Sequence, residues 1–323
     1  MASMNLEIQK RASTKNQPRI SIVSTLYRSS STVVEFIKSV SKVASQITNQ
    51  FEIVLVDDGS PDNSAELCKN YDAPIKVISF SKNYGHHMAM MAGIEHAKGE
   101  YIFLIDSDLE ESPSLLLEFW EKLKKNPDTD MIYGVQITRK GSFFERTSGG
   151  LFYRIFNFLS DVEIPNNLLT VRLMTRRYVD ILVQFRERTL FIGGVWQIIG
   201  FKQLPILVHK RSTSKTTYSL KDKMEMVLNS ITSFSSKPLV LLFKISVLIN
   251  ILTLLIIGRT LYYWFYYDYN ISGYNSLIIS IWMFGGLLLT AISIVGIYLS
   301  KVFMEVKKRP RYSIKEISDQ SPF

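Results

Sequence analysis

The feature that most constrains this chain lies near its C-terminus, where Leu277–Leu299 runs for 23 residues without a charge. At about 1.5 Å per residue, a helix of that length crosses roughly 30 Å of hydrocarbon. The stretch from Leu239 to Trp264 is also apolar, apart from Lys244, Asn250 and Arg259. Its two cations fall near the ends, where long side chains reach the headgroups. Two membrane spans are therefore expected, with a pair of buried core helices as the alternative. Tyr262, Tyr263, Trp264, Tyr266, Tyr267 and Tyr269 form an interfacial aromatic belt between them. Lys301, Lys307, Lys308, Arg309 and Arg311 follow the second stretch, whereas the connection holds only Asp268 and the flanking Arg259. The positive-inside rule then places both termini in the cytosol of a multi-pass membrane protein. Residues 1–19 are polar and lack an apolar core, so no secretory signal is expected.

Charge is spread unevenly along the 323 residues. Residues 1–138 hold fourteen Lys and Arg against eighteen Asp and Glu, residues 139–225 fifteen against seven, and residues 226–323 nine against four. The basic excess begins where the chain turns towards the membrane. That favours phosphorylated ligands or an anionic surface over nucleic acid. A single cysteine, Cys68, excludes an internal disulfide framework and a thiolate-rich zinc site, and it is expected to be buried in a helix.

Residues 20–138 have a different character. Short β-rich runs, Ile20–Thr25, Phe51–Asp57, Ile75–Phe80, Tyr101–Asp106 and Met131–Val135, alternate with helical patterns near Thr32–Ile47, Asn63–Tyr71, His87–Ala97 and Ser114–Lys125. Near-continuous apolar strands alternating with helices predict an α/β domain with a parallel sheet covered on both faces. Ligands of such sheets sit beyond the carboxyl ends of the strands. Two amphipathic segments follow, at 144–159 and 219–236, which fit helices that pack on the domain or lie in the membrane interface. The resulting division is a polar tail (1–19), an α/β domain (20–218), a juxtamembrane helix (219–236), a two-helix membrane region (237–300) and a basic cytosolic tail (301–323).

The unusual polar residues fall at strand ends. The second strand closes on Asp57-Asp58-Gly59-Ser60-Pro61, a pair suited to the donor groups of a nucleobase or ribose, or to an Asx turn capping the next helix. The fourth closes on Asp106-Ser107-Asp108-Leu109-Glu110. If the strand continues, side chains two apart share a face, so Asp106, Asp108 and Glu110 could converge on one hard cation, Mg²⁺ or Mn²⁺. Adjacent His86 and His87 cannot both face one ion from a regular element. Gly193-Gly194 suit a turn or close approach to a ligand, and Phe152 and Phe156 suit packing. No G-x-G-x-x-G follows the first strand, which counts against a dinucleotide oxidoreductase.

Together, VDDGSPDNS and SKNYGHHMAMMAGIEHAKGEYIFLIDSDLEESP resemble the family 2 glycosyltransferases of the Rossmann-like GT-A fold. Within these, the chain is similar to the polyprenyl-phosphate glycosyltransferases, the group of the bactoprenol glucosyltransferases and dolichyl-phosphate mannose synthase. The resemblance spans about residues 20 to 305 and implies roles by position. Asp57 and Asp58 would read the nucleoside, with Thr25 and Tyr27 in the first loop covering the base. Asp106, Asp108 and Glu110 match the metal and diphosphate site, Glu110 standing where Gln is common. Asn83, Gly85 and His86 occupy the N-x-G-H-type loop near the nucleotide sugar. Arg139 and Arg146 match the residues that hold the acceptor lipid phosphate. Lys210, Arg211, Lys215 and Tyr218 match a loop closing over the diphosphate. The catalytic set implied is Asp108 with Arg139, Arg146 and Arg211.

The implied activity is metal-dependent, inverting transfer of a sugar from a nucleotide sugar, a UDP-sugar, to undecaprenyl phosphate at the cytosolic face of the inner membrane. It would serve cell-surface glycan or O-antigen modification, and the resemblance further implies a homo-oligomer, a tetramer. Thr25-Leu26-Tyr27-Arg28-Ser29 departs from the usual P-x-Y-N-E. In the segment resembling G-D-F-R-L-M, Thr170 replaces the acid. A phosphate acceptor tolerates that loss, because its second pKa of about 6 leaves it largely dianionic and nucleophilic at neutral pH. A hydroxyl acceptor on a lipid-linked glycan would need a general base. A non-catalytic nucleotide-sugar-binding scaffold is the remaining alternative, and it would have no need of a metal site.

Overall fold

The computed structural model describes residues 18–136, 167–187, 192–209, 237–267 and 273–323. Arg139, Arg146, Lys210, Arg211, Lys215 and Tyr218 lie outside the described residues, as do Phe152, Phe156 and the segments 144–159 and 219–236. The chain divides into two compact units. One is built on a sheet and ends with Pro310–Phe323; the other includes Ser219–Arg309.

The sheet unit opens with β1 (Ile20–Leu26), α1 (Val33–Ala44), β2 (Phe51–Asp57), α2 (Ser64–Lys69), β3 (Ile75–Phe80), α3 (His86–His96), β4 (Tyr101–Leu104), α4 (Leu115–Lys125) and β5 (Met131–Gln136). These match the expected alternation to within a few residues at each end. Every residue of β2 and β3 is buried, because helices cover both faces. On one face Ile22, Ile53, Leu55 and Phe103 pack with Phe36 and Ile37 of α1 and Phe119 of α4. On the other, α3 is buried from Met88 to Ile94 without a polar side, which marks a helix enclosed all round. It then continues with β6 (Leu168–Thr175), α5 (Arg176–Leu182), α6 (Ile192–Ile198) and β7 (Gln203–Val208), and closes with β8 (Ile314–Asp319).

The eight strands are ordered β7-β5-β6-β4-β1-β2-β3-β8. The sheet is mixed rather than parallel: β6 runs antiparallel to β4 and β5, and β8 runs antiparallel to β3. A strand covered on both faces shows the same apolar run in either direction, so the sequence pattern carried no sign of the reversal. Within the expected basic tail, 314–319 form an edge strand of this sheet. Its residues are mostly exposed, and Lys315, Glu316 and Asp319 give it the charged surface common on sheet edges. Gly193 and Gly194 are buried in α6 and do not form a turn. Cys68 is buried, as expected, its thiol pushed up to about 12 by burial.

The second unit contains α7 (Lys237–Tyr267, 31 residues) and α8 (Tyr274–Val306, 33 residues). Within α8, Phe284–Val306 is long and apolar enough to cross a membrane, the one such segment found among the described residues. The hydroxyls of Thr290 and Ser293 donate to the carbonyls of Gly286 and Leu289 one turn back, at 2.9 and 2.7 Å. Two polar groups in the apolar middle of the helix are thereby satisfied internally.

Candidate active site

The end of β2 is closed by backbone donors. Asp57 and Asp58 are buried, at 8% and 3% exposure. Asp57 accepts the Ser60 N–H at 2.9 Å, so the turn expected of an Asx residue does form there. Asp58 accepts the N–H groups of Tyr84 and Gly85 at 2.7 and 3.0 Å, which ties the β2 end to the loop after β3. Gly59 makes this approach possible: at φ +63°, a Cβ on it would lie 2.4 Å from the Lys82 carbonyl carbon. Burial raises both carboxyls above 3.8, opposed at Asp57 by the Ser60 N–H and at Asp58 by the Tyr84 and Gly85 N–H groups.

Asp62, unflagged by sequence reasoning, organises the turn that leads into α2, whose N-cap Asn63 makes no side-chain cap bond. Its carboxylate accepts from Ser60 Oγ (2.7 Å), Ser64 Oγ (2.5 Å), the Ser64 N–H (3.2 Å) and the Ser30 N–H (3.0 Å). Desolvation works against its charge, yet the Ser64 and Ser60 hydroxyls and the Ser30 N–H hold it well below 3.8. The first-strand loop rests on this frame, with the Arg28 N–H donating to Ser60 Oγ at 2.7 Å and the Ser29 N–H to Ser64 Oγ at 3.0 Å. The departure from P-x-Y-N-E is thus met by local serine and aspartate chemistry in GSPDNS. Tyr27 stands 47% exposed, with the Arg28 guanidinium 5.5 Å from its ring centre.

A second group forms where β1, β4 and α3 meet. Thr25 Oγ1 lies 3.0 Å from His86 Nδ1, and His86 Nε2 lies 3.5 Å from Asp106 Oδ1. An Nε2–H tautomer suits both contacts, donating towards Asp106 while Nδ1 accepts from the threonine hydroxyl. Ser107 Oγ donates to the Thr25 carbonyl at 2.8 Å, fixing the β4 loop to the β1 loop. The structure therefore gathers Thr25, His86 and Asp106 at one point, and Asp57, Asp58 and Gly85 at another. Asn83 is exposed in the connecting loop.

The expected three-carboxylate face does not form. β4 ends at Leu104, and Leu109 adopts φ +60°, a left-handed residue that breaks the two-residue alternation. Asp106 is half-buried and Asp108 exposed, while Glu110 is buried at 7% exposure with its own N–H donating to Asp108 Oδ1 at 2.9 Å. Among the described residues, no group of three or more His, Cys, Asp or Glu is placed to hold a metal. Two carboxylates remain for an ion, and a cation that draws its other ligands from phosphates and water needs no more from the protein.

Arg172 was not singled out from the sequence, although a lone cation inside the apolar run of β6 was its signal. It is fully buried, lies over the Trp196 ring, and donates from Nε to the Thr170 carbonyl (2.9 Å) and from a terminal nitrogen to that of Leu169 (2.8 Å). Burial lowers its pKa to about 9, countered by Tyr178, Glu111, Tyr133 and Asp106.

Carboxylates at the carboxyl ends of β2 and just beyond β4 place the molecule among α/β proteins that take a ligand over their strand ends. The chain belongs to glycosyl transferase family 2, whose profile matches residues 21–181. It is 42% identical over 302 residues to a Mycobacterium tuberculosis protein bearing a glycosyltransferase name, covering 93% of this chain and 88% of that one. It is 27% identical over 304 residues to the prophage bactoprenol glucosyl transferase homolog of Escherichia coli, covering 93% and 99%. The solved structure of glucosyl-3-phosphoglycerate synthase from Mycobacterium tuberculosis with Mn²⁺ and UDP-glucose is similar at a TM-score of 0.45 and 17% identity, over 68% of this chain and 79% of that one. The protein is a glycosyltransferase with an α/β fold and a mixed sheet.

Proposed function

We propose that this glycosyltransferase moves a sugar from a UDP-sugar to polyprenyl phosphate at the cytosolic face of the membrane, with inversion at the anomeric carbon. The observation that carries the reading is the pairing of two acidic corners over one sheet end, one buried and tied to the loop after β3, the other more exposed. The bactoprenol glucosyl transferase name of a relative that is similar over nearly its whole length supports the acceptor. Asp57 and Asp58 face the nucleoside, with Tyr27 beside the base.

Asp106 and Asp108 would hold Mg²⁺ or Mn²⁺ together with the donor diphosphate. The fit rests on their chemistry: two hard oxygen donors, one half-buried and one exposed, with Glu110 turned into the protein. When bound there, the ion supplies Lewis acidity that neutralises the departing nucleoside diphosphate. Arg139, Arg146 and Arg211 are assigned to phosphate oxygens, which guanidinium groups can grip bidentately. The acceptor phosphate attacks the anomeric carbon as a dianion, so no carboxylate base is required where Thr170 stands.

Chain topology supports two spans. β7 and β8 belong to one sheet, so the chain between them must return to the side of the membrane it left. If Phe284–Val306 crosses, a single crossing would separate β8 from the β3 strand it pairs with, and we assign the second crossing this reading needs to α7.

Full-length protein in detergent, given undecaprenyl phosphate and a panel of labelled nucleotide sugars, tests the reading. Sugar should enter the lipid phase with Mg²⁺ or Mn²⁺, and stop with chelator or with Asp108→Asn. Donor turnover without lipid product would overturn the acceptor assignment and point to a glycan hydroxyl.

A further inference from the structure

The segment that leaves α8 returns to the sheet unit beside the loop that Asp58 holds. Residues 307–310 alone separate the end of α8 from Arg311. The Arg311 guanidinium pairs with Glu95 in the last turn of α3, both side chains being largely buried, and it also donates to the Phe185 carbonyl at 3.4 Å. Tyr312 donates its hydroxyl to the other Glu95 oxygen at 2.5 Å. Its ring stacks on Phe80 with centroids 4.8 Å apart and planes 21° apart, and Phe80 meets Tyr84 edge-on at 5.6 Å. The Ser81 N–H donates to the Ser313 carbonyl at 3.0 Å, and Ser81 Oγ lies 3.3 Å from the Tyr84 hydroxyl. Tyr84 and Gly85 are the residues whose N–H groups Asp58 receives. The β3–β8 register shifts at Ser79/Phe80, where the pairing gives way to this loop.

We propose that Arg311, Tyr312 and Ser313 form a positioning clamp for the donor site, acting through Phe80 and Tyr84 on the Ser81–Gly85 loop and through Glu95 on α3. The proposal rests on the assignment of Asp58 to the donor nucleotide. α3 is gripped at both ends, by Glu95 in its last turn and by His86 against Thr25 and Asp106 at its first residue. The far end of β8 does a different job. Asp319 with Lys76 (3.1 Å) secures the strand beside β3, away from the loop, and Glu316, opposite Ser79, pairs with Lys69 (2.9 Å). Burial and the Glu95 contact raise the Tyr312 hydroxyl above 10, so it remains a donor at neutral pH. The strand adjoining the membrane helix thereby sets the loop that receives the nucleotide.

The test uses full-length protein in detergent, with UDP affinity by calorimetry, donor KM and kcat in the transfer assay, and thermal unfolding. Tyr312→Ala removes both stack and hydroxyl and should weaken UDP binding and raise donor KM by about tenfold, with kcat and the lipid KM held within about twofold. Tyr312→Phe keeps the stack and should restore most of the affinity. Asp319→Ala should lower the melting temperature while leaving UDP affinity unchanged. If Tyr312→Ala does not fold, Glu95→Gln, which keeps the side-chain volume, carries the same expectation and decides the matter. Melting-temperature loss with UDP affinity and donor KM unchanged would overturn the clamp. Asp58→Asn separates the two readings: unchanged UDP affinity there would sink the donor-site assignment itself. Weakened binding in Asp58→Asn with none in Tyr312→Ala or Glu95→Gln would sink the clamp alone.

Discussion

Asp57–Asp58 and Asp106–Asp108 are both acidic pairs at or just past the ends of parallel strands, yet the protein treats them differently. The first pair is buried, its oxygens engaged by the N–H groups of Ser60, Tyr84 and Gly85. The second lies in a turn closed by the Glu110 N–H on Asp108, with Asp106 half-buried towards His86 and Asp108 exposed. A carboxylate fixed by backbone donors shapes a loop and a recognition surface. One placed at the mouth of the site keeps capacity for a cation that arrives with its phosphates. Position along a strand therefore does not set the role of an acidic pair; its burial and the loops it is tied to do.

The largest effect that would break this comparison is expected at the open corner. Asp108→Asn should lower kcat for sugar transfer by about 10²–10³-fold with the melting temperature nearly unchanged, the scale of losing one electrostatic stabiliser. A comparable loss of melting temperature would place Asp108 in the framework instead. Asp58→Ala should do the opposite, costing about 1–3 kcal/mol in denaturant unfolding because two N–H groups lose their acceptor, while UDP affinity falls. Gly59→Ala should destabilise by about 1–3 kcal/mol, since its φ of +63° is left-handed and the new Cβ meets Lys82 backbone. Unchanged unfolding in that variant would show that the two loops need not meet.

The smallest effects are those of pH, and they carry opposite signs. Asp62 titrates below 3.8 in the folded protein, so its contribution is present above 3.8 and is lost as pH falls through the folded value. Asp62→Ala should then cost about 1 kcal/mol at pH 7, with the difference from the native chain shrinking in acid. Asp57 and Asp58 titrate above 3.8, so what they contribute is present below 3.8 and is lost as pH rises through their folded values. Asp58→Asn should accordingly flatten the pH dependence of stability on the acid side. An unaltered profile would mean that the burial of this carboxylate is not felt.

The first half of the sheet was legible because its strands and helices carry their own periodicity: Phe51–Asp57 and Ile75–Phe80 were located to the residue. Glu110 was misplaced because the two-residue rule was extended past Leu104, where the chain turns through a left-handed Leu109 that nothing in DSDLEE advertises. β8 escaped notice because an exposed edge strand, Ile-Lys-Glu-Ile-Ser-Asp, needs no apolar face. The acidic pairs, His86 and Thr25 were visible as motif residues. The contacts that decide their roles, from Tyr84, Gly85 and Ser107, join segments far apart in sequence and belong to the tertiary structure.

Calorimetry of uridine and UDP binding, each with and without Mn²⁺, on the native protein and on Asp108→Asn, tests the contrast between the corners most directly. The account predicts uridine affinity that is independent of Mn²⁺ and equal in both proteins. It also predicts UDP affinity that rises with Mn²⁺ in the native protein only. A Mn²⁺-dependent rise that survives intact in Asp108→Asn would contradict it.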